Sequence, residues 1–271
     1  MRLRTKIYNK YIERKQLKTK LKRHIYGIDA IIAHENAIKD IYIPASIIHQ
    51  KVFPKYKGIN KGKTVVLLGT APTFDYYTPI EGAVHIGMNR AFMRDDIKLD
   101  YLFRCDKEND EIEKLMSEYK GNNCKKLYGY RYRCGKTIPE YRREEENVES
   151  FYCLSYDYSI FGREIEKEQF FIFPPDISVS PFKSYGTTMF IAFQFALWTH
   201  PDKIYIVGCD CSSGHSASTK DDKVFDYSYL INPWKKAKEF AEEYYPDIEI
   251  TSINPVGLKG IFHDVYTDNY K

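Results

Sequence analysis

Short apolar runs that end in small or polar residues set the pattern of the central and C-terminal parts of the chain. Such runs are typical of strands that are buried in a parallel sheet, whereas apolar residues that recur every three or four positions indicate helices. The first run, at residues 64–68, leads directly into a loop of small residues. The predicted strands are Thr64–Leu68, Ala83–Gly87, Tyr101–Phe103, Lys203–Val207 and Ile248–Ile253.

Three segments between these runs have the pattern of helices. Asn109–Tyr119 carries an apolar stripe that includes Ile112 and Leu115. Gly186–Trp198 is apolar on all sides, which predicts a buried helix, and Pro233–Tyr245 has one apolar and one charged face. Strands that alternate with helices predict an α/β fold, with a Rossmann-like, mostly parallel sheet flanked by helices.

Length and composition narrow the class of protein. The chain has 271 residues, 43% of them hydrophobic, which suits one large α/β domain or a domain with an accessory part. It has no apolar run near the length of a membrane span. Its six cysteines show no CxxC pair, which favours a reducing compartment, so we expect a cytoplasmic protein. Cys209 and Cys211 lack further ligands at zinc-site spacing, and we expect no metal there.

The N-terminus is strongly basic. The first 23 residues contain ten Lys or Arg residues and one acidic residue, Glu13, although the whole chain has a net charge of only +4. Apolar residues recur among these charges, so residues 1–25 are predicted to form a basic helix. Its basic face could be solvated, could contact nucleic acid, or could lie on an anionic membrane, where each Lys or Arg contributes roughly 1 kcal/mol. No recognisable motif supports nucleic acid, which we do not expect as a partner.

The pattern divides the chain into two regions. Residues 1–62 are predicted to be the basic helical arm and a polar connection, and residues 63–271 a nucleotide-binding domain. Within the second region, residues 211–232 are polar, rich in Ser and Asp, and contain several Tyr residues. A long polar insert after a strand is typical of a lid over a binding site.

Two loops carry the strongest candidate chemistry. After the first strand come Gly69, Thr70, Ala71, Pro72 and Thr73, small residues that let the backbone approach a phosphate. Before the apolar helix come Ser184, Tyr185, Gly186, Thr187 and Thr188, where unpaired N–H groups and the positive end of a helix dipole can hold an anion. An ordinary turn explains the first loop equally well, and plain helix capping is the alternative for the second.

Polar residues also follow the other predicted strands. Asn89, Arg104, Asp106 and Asp210 stand at or just after strand ends, where open parallel sheets collect ligands. Arg104 either holds a diphosphate or a sugar carboxylate, or forms a salt bridge to Asp100 or Asp106.

The order of these motifs, over about residues 63–258, resembles the bacterial sialyltransferases of glycosyltransferase family 42 and is similar to the wider MptE-like superfamily of Rossmann-like domains. Residues 69–73 are similar to the family's Gly-x-Gly-Pro-Ser loop, with Ala71 in place of the second Gly. Asn89 matches the family's Asn after the second strand, and residues 184–187 match its Ser/Thr-Gly helix start. After the third strand the family has an Asn, where this chain has Cys105 or Asp106.

The resemblance implies an enzyme, a glycosyltransferase of surface polysaccharide synthesis. It would move sialic acid or a related acidic sugar from a CMP-linked donor to a hydroxyl of a glycan or lipid-linked acceptor, without metal or cofactor. Tyr227 and Tyr229 resemble the family's lid tyrosines, with packing inside the lid as the alternative. The implied donor-binding residues are Gly69, Thr70, Ala71, Pro72, Thr73, Asn89, Arg104, Asp106, Ser184, Gly186, Thr187, Asp210, Tyr227 and Tyr229.

The catalytic base is less defined. Transfer to a hydroxyl needs a base, and His titrates near neutral pH. The family has a His late in its lid, near the position of Tyr229 here. His215 and Asp226 are therefore the candidate catalytic residues, and His263 is a further alternative.

Two other functions stay open. One is an MptE-like diphosphokinase, which would use ATP and Mg²⁺ and would need the carboxylates of Asp106 and Asp210. The other is a non-catalytic nucleotide-binding protein.

Overall fold

The computed structural model of the chain describes residues 38–105, 108–133, 136–139, 148–154, 173–219 and 225–270. The predicted basic arm at residues 1–25, the candidate Asp106 and residues 220–224 of the predicted lid lie outside these ranges. Within them, the chain forms an α/β fold in which helices cover both faces of one sheet. Nine of the described strands are parallel, consistent with a Rossmann-like domain.

The sheet runs in the order β10-β9-β8-β1-β2-β3-β4-β6-β7, in which every neighbouring pair is parallel, and β5 pairs with β4 in the antiparallel direction. The strands are β1 Thr64–Leu68, β2 Val84–Met88, β3 Tyr101–Arg104, β4 Lys125–Arg133, β5 Lys136–Pro139, β6 Val148–Leu154, β7 Phe182–Lys183, β8 Lys203–Val207, β9 Glu249–Ile253 and β10 His263–Val265.

The five predicted strands are all present, two of them with the predicted bounds and three within one residue. The prediction missed β4 to β7 and β10. In β4, Lys125 and Lys126 precede the apolar residues and Arg131 interrupts them, and in β6 Glu149 follows Val148. A pattern search therefore finds no continuous apolar run there, although both strands are held by parallel neighbours.

The described α-helices are α1 Ile43–Val52, α2 Asp110–Glu118, α3 Thr188–Thr199 and α4 Ile231–Tyr244. The last three agree with the predicted helices within two residues, and α1 was missed. In α2, Ile112 is buried as expected and Met116 is buried with it, but Leu115 is 42% exposed, so its place on a buried stripe was wrong. None of the described helices is both long and apolar enough to cross a bilayer.

Alternate residues of β1 face two different cores. Val65 and Leu67 pack in a cluster with α3 and α4, which includes Trp234. Val66 and Leu68 pack in the cluster beneath α2. Because both faces of β1 are covered, the strand is apolar throughout, as is typical of a central parallel strand.

The helix α3 is buried along its whole length, as the sequence predicted. Its Gln194 fixes it to the sheet edge, since Oε1 accepts the N–H of Lys183 at 3.1 Å and Nε2 donates to the carbonyl of the same residue at 2.7 Å. These two bonds hold α3 in register with β7, and so set the position of its N-terminus relative to the sheet.

The connections place a topological switch point between β1 and β8. From β1 the chain continues to β2 on one side, and after β7 it returns through α3 to β8, on the other side of β1. In open parallel sheets, the crevice at the carboxyl ends of two such strands is the usual ligand site. The segment before β1 also contacts the core through Phe53 and Tyr56, and the domain boundary at residue 62 stays a prediction.

Candidate functional site

Two glycines bring the ends of β1 and β8 into backbone contact. The N–H of Gly69 donates to the carbonyl of Val207 at 2.8 Å, and the N–H of Ala71 donates to the carbonyl of Gly208 at 3.0 Å. A Cβ atom on Gly69 would lie 2.2 Å from the carbonyl oxygen of Gly208, and one on Gly208 would lie 2.6 Å from that of Gly69. Only glycine allows this approach, which forms the floor of the switch point.

A cleft of about 140 Å³, open to solvent, lies at this floor. Its wall combines the first loop, the end of β2, the N-terminus of α3, the end of β8 and the polar insert. The predicted site residues that line it are Gly69, Thr70, Ala71, Asn89, Gly186, Thr187, Asp210, His215 and Tyr227. The structure therefore brings together residues that are up to about 160 positions apart in the chain.

Asp210 fixes the first loop to the end of β8. The N–H of Thr73 donates to its Oδ2 at 3.1 Å, and the hydroxyl of Thr73 donates to Oδ1. Burial raises the pKa of the Asp210 carboxyl, although the hydrogen bonds from Thr73 act in the opposite direction. Both carboxylate oxygens are engaged, so Asp210 and Thr73 shape the loop. Pro72 starts the short 3₁₀ helix Pro72–Tyr76, beside this contact.

The N-terminus of α3 opens into the cleft. Thr187 caps the helix, and its side chain accepts the N–H of Met189 at 3.3 Å. Tyr185 and Gly186 have positive φ angles of 47° and 82°, which turn the backbone sharply ahead of the helix. Ser184 is buried behind this turn and donates to the carbonyl of Leu154 at 3.2 Å. The first turn of a buried helix thus points its N–H groups and positive dipole end at the cleft.

Two buried oxygens of the cleft wall make no hydrogen bond within the part of the chain that the structure describes. They are Oδ1 of Asn89, which follows β2, and Oγ1 of Thr188, the first residue of α3. The sequence predicted Asn89 from its place after a strand, and it placed Thr188 in the second candidate loop without singling out its side chain. Buried polar groups are almost always paired, so these two unsatisfied oxygens are unusual, and both belong to residues that line the cleft.

Arg104 lies away from the cleft, which corrects its prediction as a donor-binding residue. The side chain is buried, forms an ion pair with Glu113 of α2, and lies over the ring of Tyr128 at 5.2 Å from the centroid. The salt-bridge alternative is therefore what the structure shows, with Glu113 as the partner in place of Asp100 or Asp106.

Residues 216–218 of the polar insert are bound to the first loop and to the 3₁₀ helix that follows it. The N–H of Ser216 donates to the carbonyl of Thr70 at 2.8 Å. The carboxylate of Asp75 accepts the N–H of Ala217 at 2.9 Å and the hydroxyls of Ser216 and Ser218. Burial raises the pKa of Asp75, but these hydrogen bonds outweigh it and leave the pKa below its usual value. Asp75 carried no signal in the sequence beyond its closeness to the first loop.

Of the two predicted catalytic residues, only His215 lines the cleft. Its Nδ1 lies 3.4 Å from Oγ1 of Thr70, and its ring centroid is 6.0 Å from that of Tyr227. Asp226 is exposed and outside the cleft, where it accepts hydrogen bonds from the N–H and hydroxyl of Ser228 at 2.9 and 3.0 Å. The alternative His263 lies in a separate groove beside α4.

Tyr229 stands at the rim of the cleft without lining it. The residue is 46% exposed, and its hydroxyl would lie 3.6 Å from a Cβ atom placed on Gly186. Its ring centroid is 6.4 Å from that of Tyr227, which does line the cleft. The two tyrosines therefore occupy neighbouring positions along the mouth of the site.

Comparison with protein families, with curated proteins and with solved structures finds no match to this chain. The resemblance to the sialyltransferases rests on the short motifs alone and stays a prediction. Among the described residues, no group of three or more His, Cys, Asp or Glu side chains is placed to bind a metal ion.

Proposed function

We propose that this protein is a glycosyltransferase that binds a nucleotide-activated sugar in the cleft and transfers the sugar to a hydroxyl of a glycan or lipid-linked acceptor. One observation carries the proposal. The N-terminus of the buried helix α3 and the small-residue loop after β1 face the same cleft at the switch point of the sheet. The start of α3 presents backbone N–H groups and the positive end of the helix dipole, and the small residues of the loop leave room for a phosphate to approach them.

The charge of the cleft favours a donor with a single phosphate. Within the described residues that line it, there is no Lys or Arg. Backbone dipoles and hydroxyls carry only partial positive charge, which suits the single charge on the phosphodiester of a CMP-linked sugar better than the several phosphate charges of ATP. We therefore propose a CMP-linked donor, in which the sugar is sialic acid or a related acidic sugar.

His215 is the proposed general base. It takes the proton of the acceptor hydroxyl as the acceptor oxygen bonds to the anomeric carbon of the sugar. The bond between that carbon and the phosphate oxygen breaks, and CMP leaves with the bonding electrons. The N-terminus of α3 then faces the charge that develops on the leaving phosphate, where a fixed dipole stabilises the transition state. Residues 211–232 act as the lid that keeps water from the reacting carbon.

The basic residues 1–25 are proposed to hold the enzyme on the inner face of the cell membrane, next to a membrane-bound acceptor. Removing residues 1–25 should reduce binding to vesicles that contain anionic lipid, with little change for neutral vesicles, as measured by co-sedimentation. Equal binding of the full-length and truncated proteins to anionic vesicles would reject this location.

A ligand panel tests the proposed function. The melting temperature of the protein is measured with CMP, CDP, UDP, GDP and ATP, each with and without Mg²⁺, because a ligand that binds only the folded state raises it. We expect CMP to raise the melting temperature without metal. We also expect the protein to release CMP from one of a set of CMP-sugars when a glycan acceptor is present. Stabilisation by ATP only with Mg²⁺ would indicate the diphosphokinase instead, and CMP binding without turnover on any sugar would indicate a binding protein.

A further inference from the structure

Thr188 has a buried hydroxyl whose surroundings do not satisfy it. The residue is 3% exposed, lines the cleft, and its Oγ1 has no hydrogen-bond partner among the described residues. A Thr inside a helix usually bonds to the carbonyl four residues earlier. Thr188 is the first residue of α3, so the residue four positions earlier, Ser184, lies before the helix and not in a preceding helical turn. The hydroxyl of Thr188 therefore lacks the usual hydrogen bond to a carbonyl of the preceding helical turn.

Asn89, which also lines the cleft, presents a second unsatisfied oxygen. It follows β2, its φ angle of 49° lies in the left-handed region, and its Oδ1 is buried and lacks a partner in the described protein. An amide oxygen can only accept a hydrogen bond. Whatever satisfies it must carry a donor, such as a hydroxyl. Non-glycine residues held at positive φ are uncommon and cluster at ligand sites.

We propose that the hydroxyl of Thr188 donates a hydrogen bond to a phosphate oxygen of the ligand at the N-terminus of α3, and that Oδ1 of Asn89 accepts one from a ligand hydroxyl. The inference rests on the proposed function and makes it more specific. The cleft selects a ligand in which a phosphate and a free hydroxyl lie close together. A ribonucleotide has this arrangement, whereas a deoxyribonucleotide lacks one of its hydroxyls.

The Thr188→Val variant tests the first half, with Thr188→Ser as the matched control. Valine has nearly the same shape without the hydroxyl, so it removes an unsatisfied polar atom from the ligand-free protein. We expect Thr188→Val to keep or raise the melting temperature of the free protein, and to weaken CMP and inorganic phosphate binding about tenfold. Thr188→Ser should bind both within about threefold of wild type. If the hydroxyl of Thr188 had only a structural role, Thr188→Val would have a lower melting temperature and would bind CMP and inorganic phosphate as wild type does.

The Asn89→Gly variant tests the second half, because glycine accepts a positive φ and removes only the side chain. Wild type should bind CMP about tenfold more tightly than 2′-deoxy-CMP or 3′-deoxy-CMP, whichever lacks the bonded hydroxyl. In Asn89→Gly this preference should vanish, while inorganic phosphate binding stays unchanged.

Isothermal titration calorimetry on the full chain gives these affinities. Equal CMP binding by wild type and Thr188→Val would overturn the assignment of Thr188, and equal binding of CMP and both deoxy analogues by wild type would overturn that of Asn89. Either result leaves the proposed function standing if CMP-sugar turnover is present. Absence of binding of both CMP and phosphate to wild type would overturn the inference and the proposed function together, whereas the expected affinities without turnover would overturn only the function.

Discussion

At the scale of single residues, the cleft depends on the absence of two side chains. Gly69 and Gly208 let the ends of β1 and β8 touch, and this contact aims the first loop at the N-terminus of α3. Gly82 is a useful comparison, since a Cβ atom there would meet no other atom and its only special feature is a φ angle of 74°.

Gly69→Ala should therefore damage the site as well as the fold. The added methyl group overlaps backbone atoms, which should lower the free energy of unfolding by about 3 kcal/mol and abolish stabilisation by CMP. Gly82→Ala should cost about 1 kcal/mol from its backbone angle and keep the full response to CMP. Chemical denaturation and thermal shift measure the two effects, and an unimpaired CMP response in Gly69→Ala would contradict the role of the glycine contact.

His215→Ala should lower turnover by a factor of about 10² to 10⁴, the range of a lost general base, and leave CMP affinity nearly unchanged. Asp226→Asn should keep wild-type turnover, because Asp226 lies outside the cleft and its carboxylate accepts hydrogen bonds from Ser228 in its own turn. Steady-state kinetics with a CMP-sugar separates the two candidates. If the His215→Ala variant kept its turnover and the Asp226→Asn variant lost it, the general base would be Asp226 and not His215.

The sequence predicted which residues lie at the ends of strands, but it did not predict on which face of the sheet each side chain lies. Arg104 is an example. Phe103 faces the α3 core, whereas Leu102 and Arg104, one position away on either side, face the α2 core. Alternation along the strand thus directed the guanidinium to Glu113. The hydroxyl of Thr188 was not singled out within its candidate loop for a different reason, since an unsatisfied hydroxyl is recognised only when the positions of its neighbours are known.

At the scale of elements, His49 joins α1 to the rest of the fold. Its Nδ1 donates to the carbonyl of Ile177 at 2.8 Å, and its Nε2 accepts the N–H of Tyr152 at 2.8 Å. One nitrogen must carry a proton and the other must not, so the ring has to be neutral. Burial lowers the pKa of His49 to about 4, although the backbone bond to Ile177 acts to raise it.

His49 should make stability depend on pH. An unfolded His has a pKa of about 6.5, so between pH 6.5 and 4 the unfolded chain binds the proton that the folded chain excludes. The contribution is complete above pH 6.5 and is lost as the pH falls, with about 2 to 3 kcal/mol gone by pH 4.5. In His49→Asn, the difference in unfolding free energy between pH 7.5 and 4.5 should shrink by that amount. An unchanged difference, measured by urea denaturation, would show that burial does not lower the pKa of His49 in the folded protein.

Elements with a continuous pattern were the predictable ones. The apolar helix α3 and the strands β1 and β8 could be located because both of their sides are buried, so their sequences contain almost no polar residues. The strands β4 and β6 and the helix α1 mix charged and apolar residues, and only their pairing and packing in the fold specify them. A local sequence pattern does not reveal such contacts, because the contacting segments are distant in the chain.

At the scale of the whole molecule, the strand order decides where a ligand can bind. The sequence predicted a parallel sheet and several loops at its carboxyl edge, but not that β8 lies beside β1, since that pairing joins segments about 140 residues apart. This pairing creates the switch point and brings the first loop, Asn89 and the start of α3 around one cleft. The grouping of site residues is therefore a property of the fold.

The central claim is that this cleft holds the phosphate of a nucleotide through the first loop and the N-terminus of α3. A crystal structure of the protein with CMP tests it most directly. The account predicts the phosphate within hydrogen-bond distance of Oγ1 of Thr188 and of backbone N–H groups at the start of α3, with a ribose hydroxyl at Oδ1 of Asn89. A nucleotide bound elsewhere, such as the groove lined by Tyr245 and Phe262, would contradict it.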